Sequence, residues 1–133
     1  MPEISVKIIA FYAGLNALIM FTLALMVVRA RRKTGVGLGH DEPTTLLRRA
    51  YRAQANNVEY VPMALILLGI LELAQSPALF LHLLGGMLTV GRIAHAWGLS
   101  RSGERSPGRA VGIVLTWISF LTAAFAVLVY AVA

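Results

Sequence analysis

The sequence predicts an all-α integral membrane protein, a single domain over residues 1–133 folded as a bundle of four transmembrane helices. Three observations carry this reading. Hydrophobic residues make up 58 % of the chain and charged residues only 14 %, where an ordinary soluble domain carries about a quarter charged residues. Long apolar runs alternate with short polar segments, the pattern of helices that cross a bilayer and loops that leave it. Eleven of the 12 Lys and Arg residues lie either between Arg29 and Arg52 or between Arg92 and Arg109, with Lys7 alone elsewhere. A net charge of +6 is compatible with nucleic acid or a membrane surface. Because the cations sit beside apolar runs, we read them as determinants of topology. The chain has no cysteine, which excludes a disulfide framework, a thiolate metal site and a cysteine nucleophile.

The first helix is expected from about Ser5 to Arg31. Ile8 to Val28 is apolar apart from Asn16 and Thr22, long enough for a hydrocarbon core of about 30 Å. It is too long for a signal-peptide core and no small-residue cleavage site follows it, so it reads as a permanent helix. Arg29, Arg31, Arg32 and Lys33 close it. The segment from Thr34 to Thr45 contains Gly35, Gly37, Gly39, Asp41 and Pro43 and reads as a flexible polar loop.

The second helix is expected over residues 44–75, beginning near Pro43 or Thr44. Its purely apolar part is about a dozen residues, a length that by itself suggests a re-entrant segment. Charge bias decides for a full crossing. Basic loops stay in the cytoplasm, so the ends of the first and third helices share that side and the second must return between them. Gln75-Ser76-Pro77 is then a short turn between antiparallel neighbours. The third helix is expected over Ala78 to Leu99, followed by the polar loop Arg101 to Ser106. Ser106-Pro107 reads as N-cap and first helical residue of a fourth helix over residues 107–132. Both termini and the Gln75–Pro77 turn face the side opposite the basic loops.

A rise of about 1.5 Å per residue places the polar residues by depth. Measured from the outer turn, Glu59 lies roughly 24 Å inward and Asn56 roughly 28 Å, while Arg92 lies roughly 20 Å and His95 roughly 25 Å from the outer end of the third helix. Arg29 ends the first helix and Arg109 begins the fourth. All four helices thus bring polar groups to one layer, and polar residues at membrane depth must face protein or water. Arg52, Asn56 and Glu59 share one stripe at i, i+4, i+7, with Arg49 a turn earlier and Gln54 and Asn57 flanking. Pro62 should kink the helix beside Glu59.

Each of these residues has a plainer reading. Arg52 and Glu59 could pair with other helices and only hold the bundle together. Arg48 and Arg49 suit lipid headgroups. His95, at i+3 from Arg92, is more often a packed hydrogen-bonding residue than a ligand or base. Gly91 and Gly98 signal close helix packing. His82 reads as structural, and His40 as a loop residue without partner spacing. Tyr51 and Trp97 suit the interfacial aromatic belt. No His or carboxylate pairing on any helix has metal-ligand spacing. Arg109 lies in a helical first turn, where amides and dipole favour anions, yet a basic residue there is also the rule for a cytoplasmic helix end.

The stretch Arg52-Ala53-Gln54-Ala55-Asn56-Asn57-Val58-Glu59-Tyr60-Val61-Pro62 resembles the second-helix signature Arg-Ala-x-x-Asn-x-x-Glu-x-x-Pro of the MAPEG family, the membrane-associated proteins of eicosanoid and glutathione metabolism. Arg29, Gly91-Arg92 with His95, and Pro107-x-Arg109 are similar to their family counterparts, so the resemblance covers nearly the whole chain. It implies a four-helix subunit, a homotrimer, and glutathione bound between subunits near the cytoplasmic face. Carried over by position, Arg29 and Arg52 would hold the glutathione carboxylates, Glu59 its amine, and Asn56 would complete the cradle. Arg92 and His95 would join the binding set. Gln54 and Tyr60 match the leukotriene-synthesising branch, and Arg109 matches the arginine that stabilises the thiolate, the nucleophilic form of the sulfur.

Three positions depart from the family. Ala110 replaces a serine of the prostaglandin-synthesising branch, and Leu99 and Ile113 replace tyrosines. These departures argue against a specific eicosanoid synthase. The resemblance implies a glutathione-dependent transferase or peroxidase for lipophilic electrophiles reaching the site from the bilayer, or a non-catalytic membrane protein that keeps the fold. A proton-coupled exporter would need a carboxylate in the first helix, where there is none.

Overall fold

A computed structural model describes residues 5–40, 45–101 and 106–133. Four helices run in chain order: α1 (Lys7–Thr34), α2 (Leu46–Leu73), α3 (Ala78–Arg101) and α4 (Pro107–Val132). All four are long and apolar enough to cross a membrane. The chain is an integral, multi-pass membrane protein built as a four-helix bundle.

The helix ends refine the sequence reading. α1 extends past Arg31 to Thr34 and stops at Gly35, whose left-handed φ of 72° suits a residue without Cβ. The Gly35 N–H donates to the Arg31 carbonyl at 2.8 Å. Arg31 Nη1 in turn donates to the carbonyls of Val36, Gly37 and Gly39 at 3.3, 3.1 and 3.2 Å. The segment after α1, expected to be flexible, is therefore wrapped around an arginine as far as Gly39. At its end His40 stacks on Tyr51, ring centroids 4.9 Å apart.

α2 begins at Leu46 with Thr45 as N-cap, its hydroxyl accepting from Arg48 N at 3.3 Å. The start expected near Pro43 or Thr44 falls outside the described residues. The helix continues through Pro62 to Leu73, two residues short of the expected end, because Gln75 takes a positive φ of 58° and the chain turns. α3 runs two residues beyond Leu99, and Arg49 Nη1 reaches across to the Arg101 carbonyl at 3.2 Å, satisfying an otherwise orphaned acceptor at the helix end. α4 starts as expected, with Pro107 at its first turn and Ser106 Oγ accepting from Arg109 N at 3.3 Å.

The central pair is α2 and α3. α1 and α4 each pack against both and, among the described residues, do not touch one another. Towards the Gln75–Pro77 turn the core is apolar: Ala64, Leu68, Leu71, Leu81, Leu84, Leu88 and Ala123. Towards the basic loops it narrows to smaller residues such as Ala50, Ala53, Ala30 and Ala96, packed with Leu23, Val27, Leu47 and Leu99.

Polarity is inverted relative to a soluble bundle. Asn16, Asn57, Arg92, Thr116 and Ser119 are fully or almost fully buried, while Phe21, Phe125 and Leu128 stand more than half exposed. In hydrocarbon that is the favourable arrangement, since a polar group facing lipid has no partner. Buried polar groups bond to one another instead. Asn16 Nδ2 donates to Thr89 Oγ1 at 3.0 Å, Thr89 donates to the Gly85 carbonyl at 2.8 Å, and Ser119 donates to the Leu84 carbonyl at 2.8 Å.

Two contacts lock the end of the bundle at the Gln75–Pro77 turn. Glu72, near the end of α2, accepts from Ile8 N at 2.9 Å and Ile9 N at 2.6 Å. It thereby caps the first turn of α1, whose own N-cap residue Val6 makes no side-chain bond; a carboxylate there also complements the helix dipole. The Tyr12 hydroxyl lies 3.1 Å from both His82 Nδ1 and the His82 carbonyl, which ties α1 to α3 and gives His82 a structural partner.

Candidate functional site

The site is built where α3 and α4 approach most closely. A Cβ at Gly112 would lie 2.6 Å from the Gly91 carbonyl oxygen and overlap the backbone nitrogen of His95, and one at Gly98 would lie 2.5 Å from Arg109 N. These are backbone atoms that cannot swing aside, so only glycine allows the approach. The closeness sets the chemistry. It brings His95 against the first turn of α4, where its Nδ1 lies 3.2 Å from the Arg109 carbonyl. A carbonyl only accepts, so in the neutral ring Nδ1 carries the proton and Nε2 keeps its lone pair.

Arg92 sits one turn from His95 and is completely buried. Its Nε donates to Asn57 Oδ1 at 3.2 Å, its Nη2 to Asn56 Oδ1 at 2.8 Å, and its Nη1 to Thr116 Oγ1 at 3.4 Å. One guanidinium therefore ties α3 to both α2 and α4. A buried cation with three fixed acceptors is a positioning element, and it has no exposed surface to offer a ligand. Because Asn56 accepts from Arg92 through Oδ1, its Nδ2 hydrogens are left for the space beyond.

That space is a cavity of about 360 Å³, floored by Asn56, Tyr60 and His95 and walled on the α4 side by Ser106, Arg109 and Ile113, with Ala110 and Trp117 at its edge. Its volume falls within the range of about 300–1,000 Å³ usual for small-molecule sites. Tyr60 is held edge-on to Phe120, centroids 6.2 Å apart. The Arg109 guanidinium has no hydrogen-bond or ion-pair partner among the described residues. The cavity is thus polar at its base, cationic at one wall, and apolar towards Ile113 and Trp117.

Asn56, Tyr60, His95 and Arg109, singled out from sequence, line this one cavity. Arg52 and Glu59 stand just outside it on the same stripe of α2, half exposed and paired with each other at 3.8 Å. Gln54 is half buried on α2 outside the cavity lining, and Arg29 is exposed on α1, the helix that does not reach α4. Within one subunit, then, the structure divides the nine expected residues into four lining the cavity, one buried behind it, two on its rim and two apart. Sequence reasoning passed over Thr116 and Trp117. The first shows only as a polar interruption in an apolar helix, and the second lies two turns from Arg109, on the same face.

The chain matches the MAPEG family over residues 9–129. It belongs to the MAPEG family. Relatives of this MAPEG protein include the inner membrane protein YecN from two strains of Escherichia coli, each 33 % identical over 121 residues, covering 91 % of this chain and 90 % of the relative. The matched residues take in all four helices of the MAPEG bundle, including every cavity-lining residue named above.

Proposed function

We propose that this MAPEG protein is a glutathione-dependent membrane transferase or peroxidase acting on lipophilic electrophiles. The observation that carries the reading is the unpartnered Arg109 guanidinium, held in the first turn of α4 at the wall of a cavity that also presents His95 Nε2 and Asn56 Nδ2. Two donors, Arg109 and Asn56 Nδ2, beside one acceptor, His95 Nε2, suit a small thiol that ionises. Glutathione would supply the nucleophilic sulfur.

Arg109 places a fixed cation, reinforced by the amides of the helix start, where a thiolate would form, and so favours the ionised form. His95 Nε2 would accept the thiol proton and return it to the product. Asn56, locked by Arg92, offers donors of fixed direction. Arg52 and Glu59 continue the cradle along α2, with opposite charges for the carboxylate and ammonium ends of the tripeptide. Ile113 and Trp117 provide the apolar wall against which a substrate from the bilayer would lie.

Arg29 and Gln54 do not reach this cavity in their own subunit. In a homotrimer they would complete the site of a neighbour, with the basic loops and the site on the cytoplasmic side and both termini opposite. Calorimetric titration of detergent-purified protein with glutathione tests binding, and thiolate absorbance tests activation. Arg109→Ala should abolish the thiolate signal while binding survives. A flat titration, or turnover unchanged in Arg109→Ala, would refute the proposal.

A further inference from the structure

A second recess lies between α1 and α3, and the proposed reaction makes no use of it. It encloses about 310 Å³. Its α1 wall is formed around Leu18, Thr22 and Met26, and its α3 wall around Ile93, Trp97 and Ser100, each set spaced at three or four residues along one helical stripe. Both hydroxyls in it are turned back onto their own helices. Thr22 Oγ1 donates to the Leu18 carbonyl at 2.8 Å, and Ser100 Oγ donates to the Ala96 carbonyl. The recess therefore offers mainly dispersion contacts, with the Trp97 indole N–H as its one unengaged donor among the described residues. It opens sideways, with Leu18, Ile93 and Trp97 more than half exposed.

Two cations stand at one end of this apolar slot. The α1 stripe continues two turns past Met26 to Lys33, and the α3 stripe continues one turn past Trp97 to Arg101. Both are exposed, and neither has a carboxylate partner among the described residues. The Arg101 guanidinium lies over the Trp97 ring, 4.3 Å from its centroid, which holds the charge at the rim of the recess. Along the helices Lys33 lies about 39 Å from Lys7 and Arg101 about 35 Å from Ala78. With a hydrocarbon core of about 30 Å, both cations fall at headgroup level while the recess lies among acyl chains.

We infer that the α1–α3 recess is a binding site for an anionic phospholipid of the leaflet at the Arg101 end. One acyl chain lies in the recess and the phosphate sits between Lys33 and Arg101. Charge complementarity selects this occupant: two cations with no carboxylate partner among the described residues, beside a largely apolar slot, match an anion joined to a hydrocarbon tail.

The test uses the full chain carrying Trp117→Phe, which leaves Trp97 as the sole tryptophan, reconstituted in phosphatidylcholine vesicles. Either phosphatidylglycerol or phosphatidylcholine with brominated chains is added at equal bromine content, and quenching of Trp97 is read. The expected result is a preference for the phosphatidylglycerol quencher on the order of tenfold, lost in Lys33→Gln/Arg101→Gln and reduced at high salt. Because each variant is compared with itself across the two lipids, the altered Trp97 environment in Arg101→Gln cancels. Equal quenching by the two lipids in the protein with both cations intact overturns the inference, whether or not the double variant folds. A preference that survives the double variant overturns it too. So does the absence of quenching by either lipid, which would mean that protein covers the recess.

Discussion

Replacing Arg92 with methionine separates its structural role from its role in binding. The substitution keeps an unbranched side chain of similar length and removes the charge with its three hydrogen bonds to Asn57, Asn56 and Thr116. Interhelical hydrogen bonds in membrane proteins average about 0.6 kcal/mol each, so the three together contribute about 2 kcal/mol. Against that stands relief of a fully buried cation, whose desolvation penalty is several kcal/mol. The variant should therefore be destabilised in mixed detergent by no more than about 2 kcal/mol. If the protein binds glutathione as proposed, its affinity should change more informatively. Without Arg92, Asn56 loses the partner that fixes its Oδ1, and its amide can turn. A loss of about 1 kcal/mol, roughly fivefold in Kd, follows. The decisive measurement is the double-mutant cycle with Asn56→Ala, read by calorimetry. If Arg92 acts through Asn56, the double variant binds no worse than Asn56→Ala alone, giving a coupling of about 1 kcal/mol. Additive losses would refute the reasoning, because they would mean that Arg92 meets the ligand independently.

Three further outcomes follow from other parts of the structure. Gly112→Ala should destabilise the detergent-solubilised protein by about 1–3 kcal/mol, since its methyl meets the Gly91 and His95 backbones; unchanged unfolding would show that α3 and α4 are not so close. Glu72→Gln should cost about 1 kcal/mol and speed amide hydrogen exchange at Ile8 and Ile9, with unaltered exchange there arguing against the cap. His95→Phe should lower turnover by about 10²–10⁴-fold if Nε2 takes the thiol proton, while glutathione affinity changes little; equal losses in both would make His95 a binding residue only.

Much of the fold was legible because hydrophobic length and charge placement are properties of the chain itself. The spans around Ile8–Val28 and after Pro107 follow from apolarity alone, and α2 follows from the charge bias despite its short apolar part. Helix ends were less legible where side chains from elsewhere decide them. α1 gains its last turn through the left-handed Gly35, and the following loop is gathered by Arg31. The cap that Glu72 provides joins residues 64 positions apart, and no local signal announces it.

The candidate site divides in the same way. Helical spacing put Arg52, Asn56 and Glu59 on one stripe, and the depth count placed Arg92, His95 and Arg109 in the same layer. Spacing could not say that Asn56 looks inward to Arg92 while Arg52 and Glu59 look outward to each other. Arg52 and Arg92 are the same residue type at similar depth, yet one is half exposed and the other fully buried. The difference comes from their neighbours, Asn57 and Thr116 on facing helices in one case and an open surface in the other.

By itself, then, the sequence determined the membrane class, the number of crossings and the polar layer, because these depend on hydrophobic length, rise per residue and the cost of charge in hydrocarbon. Tertiary structure decided which polar groups face one another. It did so through glycine contacts at Gly91, Gly98 and Gly112 that let two backbones meet and bring Arg109 to His95, a consequence of packing in three dimensions that no spacing along one helix encodes.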